Sequence, residues 1–177
     1  MAARDIATAL QRVESVFQRR PETGLHEDPP GIVRWEGGLR AVATHANGKQ
    51  VQTDMPEELG GTGDQVSPGW LVRAGVASCA ATCIAMTAAR EGVTLASLEV
   101  KTFSRSDARG MLGMPDAQGE AVYGGPLGMD IQVRISAPGV SPERLRALVE
   151  RGHANAPMSA ALRTAVPMTL RVEIDGA

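Results

Sequence analysis

The sequence predicts an α+β domain: antiparallel strands packed around one central, buried helix. Three observations carry this. Residues 32–54 have a period-two apolar pattern broken by Gly37-Gly38 and Asn47-Gly48, the mark of a meander whose second turn is a strong hairpin signal. Residues 68–90 are apolar or small around nearly the whole helical circumference, which predicts a helix covered on all sides. Residues 129–135 alternate Met129, Ile131, Val133 and Ile135 with Asp130, Gln132 and Arg134, the pattern of a half-buried strand.

The elements follow in order. Residues 1–20 place Ile6, Ala9, Leu10, Val13, Val16 and Phe17 on one side and Arg4, Gln11, Arg12 and Arg19 away from it; this is an amphipathic helix that must dock on its own domain or on a second copy. Pro21 ends it, and residues 22–30 read as linker. The expected organisation is an N-terminal helical arm and linker over 1–30 and a domain over 31–177. After the meander, residues 55–67 form a loop, and Ser67-Pro68 supplies an N-cap and first-turn proline for the central helix, which Gly92 closes. Residues 94–103 read as a strand. Residues 105–125, rich in Gly, Asp and Pro, read as a loop or surface insertion. Ser141-Pro142-Glu143 starts a helix to about Gly152 with Leu145, Leu148 and Val149 inward. A short helical turn over 159–165 and a closing strand over 168–174 complete the chain.

Composition narrows the function. With 177 residues, 43% of them apolar and 21% charged, the chain suits one globular domain rather than a disordered segment. Aromatics at 3% leave no base-stacking platform, and a net charge of −2 argues against nucleic acid as partner. The longest uncharged apolar stretch, 74–89, is short of a membrane span, and no secretory leader is apparent, so a cytoplasmic protein is expected. Cys79 and Cys83, four residues apart, make no disulfide framework. They make no metal site either: a structural zinc wants four N/S ligands, and His26, His45 and His153 lie outside ligand spacing. Gly60-Gly61-Thr62-Gly63 lacks the lysine and spacing of a phosphate loop and reads as a flexible loop over the helix start. Met55, Met86, Met111, Met114 and Met158 fill a core poor in aromatics or line an adaptable pocket.

The stretch from Gly60 to Cys79, the preceding Val33-Arg34-Trp35-Glu36-Gly37-Gly38, the strand-helix segment 129–152 and His153-Ala154-Asn155-Ala156-Pro157-Met158-Ser159 together resemble the OsmC/Ohr family, osmotically inducible protein C and organic hydroperoxide resistance protein, and look closest to its divergent OsmC-like branch. The resemblance runs over about 31–174. It implies the OsmC-like α+β fold, an intertwined homodimer, and a thiol peroxidase that reduces organic hydroperoxides with two cysteines. The first of these falls on Cys79. The second, in a His-x-x-Cys-Pro segment, falls on Ala156. The acid after the helix-starting proline, which orients an arginine over the thiol, falls on Gly69. The arginine comes from the first hairpin, where Arg40 is the nearest candidate and Arg34 the second.

A thiolate attacks peroxide, so a cation must lower the thiol pKa and stabilise the leaving alkoxide. Cys79 lies three turns into its helix, beyond the reach of the N-terminal dipole, which makes an arginine necessary. The other thiol, Cys83, is at i+4 on the same face, where Cβ atoms are ~5–6 Å apart against the ~3.5–4.5 Å of a disulfide. An intrahelical bond would require the helix to distort, so a one-cysteine cycle with an external reductant or a disulfide across the dimer is easier to build; otherwise Cys83 is a small core residue. The site expected on these grounds is Cys79, Arg40 and Cys83, with no bound cofactor and a lipoyl or thioredoxin-type dithiol as external reductant. Two functions stand: a thiol-dependent peroxidase acting on a small hydrophobic hydroperoxide, and a non-catalytic protein of the same fold that binds a hydrophobic small molecule or senses oxidation.

Overall fold

The computed structural model describes residues 3–164 and 166–176. Helix α1 (Ala3–Arg19) leads into a single 3-10 turn, Pro21–Gly24, and an extended linker. Strands β1 (Ile32–Gly37), β2 (Arg40–Thr44) and β3 (Gln50–Thr53) form an antiparallel sheet in chain order, with Ile32 opposite Thr44 and Ala41 opposite Thr53. Both expected turns are present, and Gly37, Gly38 and Gly48 occupy the positive-φ positions that those turns require.

The central helix α2 (Pro68–Arg90) starts at Ser67, whose hydroxyl accepts from Trp70 N at 3.2 Å, with Pro68 in the first turn. Beyond it, β4 (Ser97–Ser106) and β5 (Pro126–Ser136) pair antiparallel from Ser97–Ser136 to Ser104–Met129. Between them, the expected loop holds one turn of helix, α3 (Ala108–Met111), and a small bridge between Pro115 and Ala121. Helices α4 (Pro142–Ala154) and α5 (Pro157–Arg163) follow, α4 capped by Ser141. The helical turn expected over 159–165 thus begins two residues earlier, and Ala165 lies outside the described residues, as do Met1 and Ala2 of the first helix and Ala177 of the expected domain.

The core forms where one face of the β4–β5 sheet and α4 close on α2. Ile84, Ala88, Val93 and Leu148 are buried there, with Leu98, Val100, Val133 and Ile135 packed against them. Gly152 of α4 makes the closest approach: a Cβ on it would lie 2.6 Å from Ile84 Cα. Only glycine lets α4 rest on the α2 main chain. Helix α1 docks on α2 with the Glu14–Arg90 ion pair at its edge and Ile6, Ala7, Leu10 and Val16 half-buried, but none of its residues is fully buried.

Two expectations need correction. The central helix is not covered on all sides. Val76, Ala80, Ile84 and Thr87 through Ala89 are buried, whereas Val72, Gly75, Ser78 and Thr82 form an open stripe that β4, α1, α4 and α5, the elements packed on α2, leave uncovered. By length and composition α2 could also cross a membrane, and 28% of its most apolar window is buried in this fold. The closing strand expected over 168–174 is also absent among the described residues. There, residues 166–176 have no strand partner, and Met168, Leu170 and Ile174 are at least 86% exposed. Alternation makes this segment competent for a strand, but a strand needs an edge to bond to, and within one chain it meets none.

Candidate functional site: a thiol pair and a caged arginine

Cys79 and Cys83 sit one helical turn apart on the same face of α2, both partly exposed and both free thiols. The Cys83 thiol donates to Asn155 O at 3.5 Å. Burial pushes the Cys83 pKa up, and the neighbouring Cys79 adds to the rise by charge and by hydrogen bond. Cys83 is therefore held as a protonated thiol at neutral pH.

Asn155 is the last residue of the α4–α5 corner, and Ala156, completely buried, follows as the N-cap of α5. The Cys83 sulfur thus rests against the backbone next to the position where the family pattern would put its second cysteine. The expected pair Cys79 and Cys83 is brought together, and it is brought to that corner.

Arg40 starts β2, and its guanidinium is caged. It donates to Asp54 Oδ2 at 3.2 Å, to the Thr62 hydroxyl at 2.7 Å, and to Asp64. Asp54, at the end of β3, is 3% exposed. Its Oδ2 lies 2.7 Å from the Thr62 hydroxyl and its Oδ1 accepts from Met55 N at 2.7 Å. The Thr62 hydroxyl, the Met55 amide and then Arg40 hold its pKa down at about 2. The loop can turn back this tightly because residue 61 is glycine: a Cβ there would lie 1.8 Å from Met55 O. Among the described residues, the hydrogen bonds of Arg40 go to Asp54, Thr62 and Asp64, and Arg34 is exposed on β1 with no ion pair.

These acids were not among the site residues expected from sequence. A signal for them existed, since Asp54 and Asp64 flank the glycine-rich loop on both sides. Arg73 was also passed over. Its Nη1 lies 3.7 Å from where a Cβ of Gly69 would stand, and it donates to Ser104 Oγ at 3.3 Å. A guanidinium therefore covers the position where the family pattern has an acid. Together with Asp54, Glu57 and Trp70 it lines a cleft of about 480 Å³ at the start of α2.

The family model for OsmC-like proteins matches residues 61–171 of this chain. The chain belongs to the OsmC-like family. Over 116 residues it is 29% identical to an organic hydroperoxide resistance protein of Xanthomonas axonopodis pv. citri, covering 65% of this chain and 72% of that one. Among solved structures, the OsmC-like protein of Mycoplasma pneumoniae superposes with a TM-score of 0.65 at 14% identity, over 80% of this chain and 91% of its own. An organic hydroperoxide resistance protein OsmC from Legionella pneumophila gives a TM-score of 0.53 at 23% identity over 78% and 92% of the two chains. The expected OsmC-like α+β fold is thereby borne out. This member of the family carries alanine at 156 and glycine at 69, the positions where the resemblance places a second cysteine and an orienting acid.

Proposed function

We propose that the chain is a thiol-dependent peroxidase that reduces organic hydroperoxides in an oxidative-stress response. The observation that carries this reading is the Cys79–Cys83 pair, two free thiols one turn apart on one face of α2, with the Cys83 sulfur against the backbone beside the buried Ala156. The naming of its relatives for hydroperoxide resistance agrees with it. In the proposed cycle the Cys79 thiolate attacks the outer peroxide oxygen and the O–O bond breaks. The alkoxide takes a proton and leaves as the alcohol, and Cys79 becomes a sulfenic acid. The Cys83 thiol then attacks that sulfur, water leaves, and a disulfide forms that an external dithiol of lipoyl or thioredoxin type reduces. Because i, i+4 Cβ atoms are ~5–6 Å apart, closing this bond requires the α2 turn at Cys79 to open. Within one chain Arg40 bonds to Asp54, Thr62 and Asp64 rather than to Cys79, so it is assigned the activating charge across the proposed dimer, from a second copy. Asp54 and Asp64 take the orienting part that an acid at 69 would otherwise play.

The same reading includes a homodimer. The β1–β3 sheet makes no more than isolated contacts with the rest of the chain, Trp35 at 75% and Val33 at 60% are exposed on it, the α2 stripe is open, and the strand-competent segment 166–176 has no edge. A second copy supplies cover for all of these. On this reading residues 31–177 form the enzymatic domain, residues 1–30 its docking arm, and the compartment is the reducing cytoplasm. The second function, a non-catalytic protein that binds a hydrophobic small molecule, is favoured by an unfilled cleft beside α5.

The test mixes reduced protein with cumene hydroperoxide and follows thiol loss and the mass of the Cys79 peptide in wild type, Cys79→Ser and Cys83→Ser. Rapid stoichiometric oxidation at Cys79, reversed by dihydrolipoamide, is expected; Cys83→Ser should stop at sulfenic acid. Oxidation no faster than that of free cysteine would refute the peroxidase.

A further inference from the structure

A second cleft, of about 620 Å³, opens between β5, α5 and the end of α4, a volume in the range of small-molecule sites. Neither cysteine is among its lining residues. Its wall is apolar: Val76 of α2, Leu127, Met129 and Ile131 of β5, and Leu162 of α5.

Into this apolar wall the chain sets donors that it does not use. Ser159 is 5% exposed, lines the cleft, and its hydroxyl has no hydrogen-bond partner. Ser159 stands in the first turn of α5, where its own helix has no carbonyl four residues back to accept the hydroxyl. His153 Nε2 also lines the cleft region, enclosed and unpartnered. An enclosed polar group with no partner costs ~1–3 kcal/mol, so two lining the same cleft mark a place where something else completes the bonding. The third group is Arg163, whose guanidinium carries no hydrogen bond or ion pair among the described residues. The one acid at the cleft is Asp130, which alternates to the face of β5 opposite Met129 and Ile131.

We infer that this cleft is a binding site for an apolar carboxylate: a small acid whose head group takes Arg163 and the Ser159 hydroxyl, with His153 as a further donor, and whose hydrocarbon part lies on the β5 wall. A guanidinium fits a carboxylate in a fork that neither an alcohol nor an amine can fill. The inference stands on the cleft alone and holds whether or not the thiols turn over.

The experiment titrates full-length protein with octanoate, octanol and octylamine by calorimetry, in wild type, Arg163→Gln, Ser159→Ala and the Cys79→Ser/Cys83→Ser double variant. Saturable octanoate binding is expected. It should weaken about tenfold or more in Arg163→Gln, as for loss of a charge-assisted pair, and about threefold in Ser159→Ala. Both substitutions lie at the cleft surface, and unchanged circular dichroism and melting verify the fold. The double cysteine variant should bind as wild type does, which separates this site from the thiol chemistry. Octanol binding as tightly as octanoate, octylamine binding more tightly, no binding of any of the three, or octanoate affinity unmoved by Arg163→Gln would each overturn the assignment.

Discussion

Replacing Gly152 with alanine tests the link between packing and site most directly. The added Cβ would stand 2.6 Å from Ile84 Cα and 3.0 Å from Ile84 N. Both are main-chain atoms of a residue with 0% exposure, so no side chain can swing aside and α4 itself must retreat. Overpacking of this kind costs about 1–3 kcal/mol. Alanine returns about 1 kcal/mol through its better helix propensity, leaving a net loss of up to about 2 kcal/mol. For a chain of this size that lowers Tm by up to about 8 °C. The retreat also carries Asn155 away from Cys83, whose hydrogen bond at 3.5 Å has little length to spare. Differential scanning fluorimetry reads the first effect, and the rate of Cys83 alkylation, followed by peptide mass, reads the second. Both should change together: a lower Tm and faster Cys83 labelling. A Tm at or above wild type with Cys83 labelling unchanged would refute the claim that Gly152 seats α4 and thereby fixes the thiol environment.

Three further outcomes are expected. Gly69→Glu puts an acid in the first turn of α2, one turn before Arg73, in space whose nearest atom is 3.7 Å from the new Cβ. It should raise stability by about 0.5–1 kcal/mol, visible in the urea midpoint, and a loss would show that the space is filled in the assembled protein. Asp54 has a folded pKa of about 2 against 3.8 when free, so its contribution is full above pH 4 and disappears as pH falls towards 2. Urea midpoints measured across that window should fall less steeply in Asp54→Asn than in wild type, though not become flat, since Asp64, Asp107 and Glu143 are lowered as well. Gly75 has no atom within 4 Å of its would-be Cβ and lies in the open stripe of α2, so Gly75→Glu should leave the chain folded and shift sedimentation from dimer to monomer. An unchanged dimer would remove α2 from the interface.

Local signals in the sequence were sufficient wherever structure is local. Ser67-Pro68 marked the start of α2 to the residue, the Gly37-Gly38 and Asn47-Gly48 turns fixed the meander, and the alternation of Met129 to Ile135 gave the middle of β5. Sequence reading erred where the outcome depends on what lies across space. The apolar circumference of α2 reports that the helix is covered, but not whether one chain does the covering. The alternation from Met168 to Ile174 reports a strand, but not which edge, if any, receives it. The thiols were legible by type and spacing, whereas Asp54, Thr62 and Asp64 meet at Arg40 only because the loop folds back at Gly61, a contact with no periodicity to announce it.

That fold-back bears on whether the site has decayed or been rebuilt. A chain that had simply lost its acid at 69 and its cysteine at 156 would leave the arginine loose and the remaining thiol alone. Here Arg40 is engaged by two carboxylates and a hydroxyl, an arrangement that needs glycine at 61 and an aspartate that remains ionised down to about pH 2. Cys83 shares a face of α2 with Cys79, and its sulfur reaches the backbone next to Ala156. On the proposed reading the loop between β3 and α2 supplies the acid, and α2 itself the second thiol. Structural filler would account for either cysteine taken separately. It does not account for a guanidinium bound by a loop whose tight return has no other evident use. The Arg40→Ala variant therefore separates the two histories: slower Cys79 oxidation with an unchanged fold supports a rebuilt site, whereas unchanged oxidation leaves the cage as a structural tie between β2 and the loop.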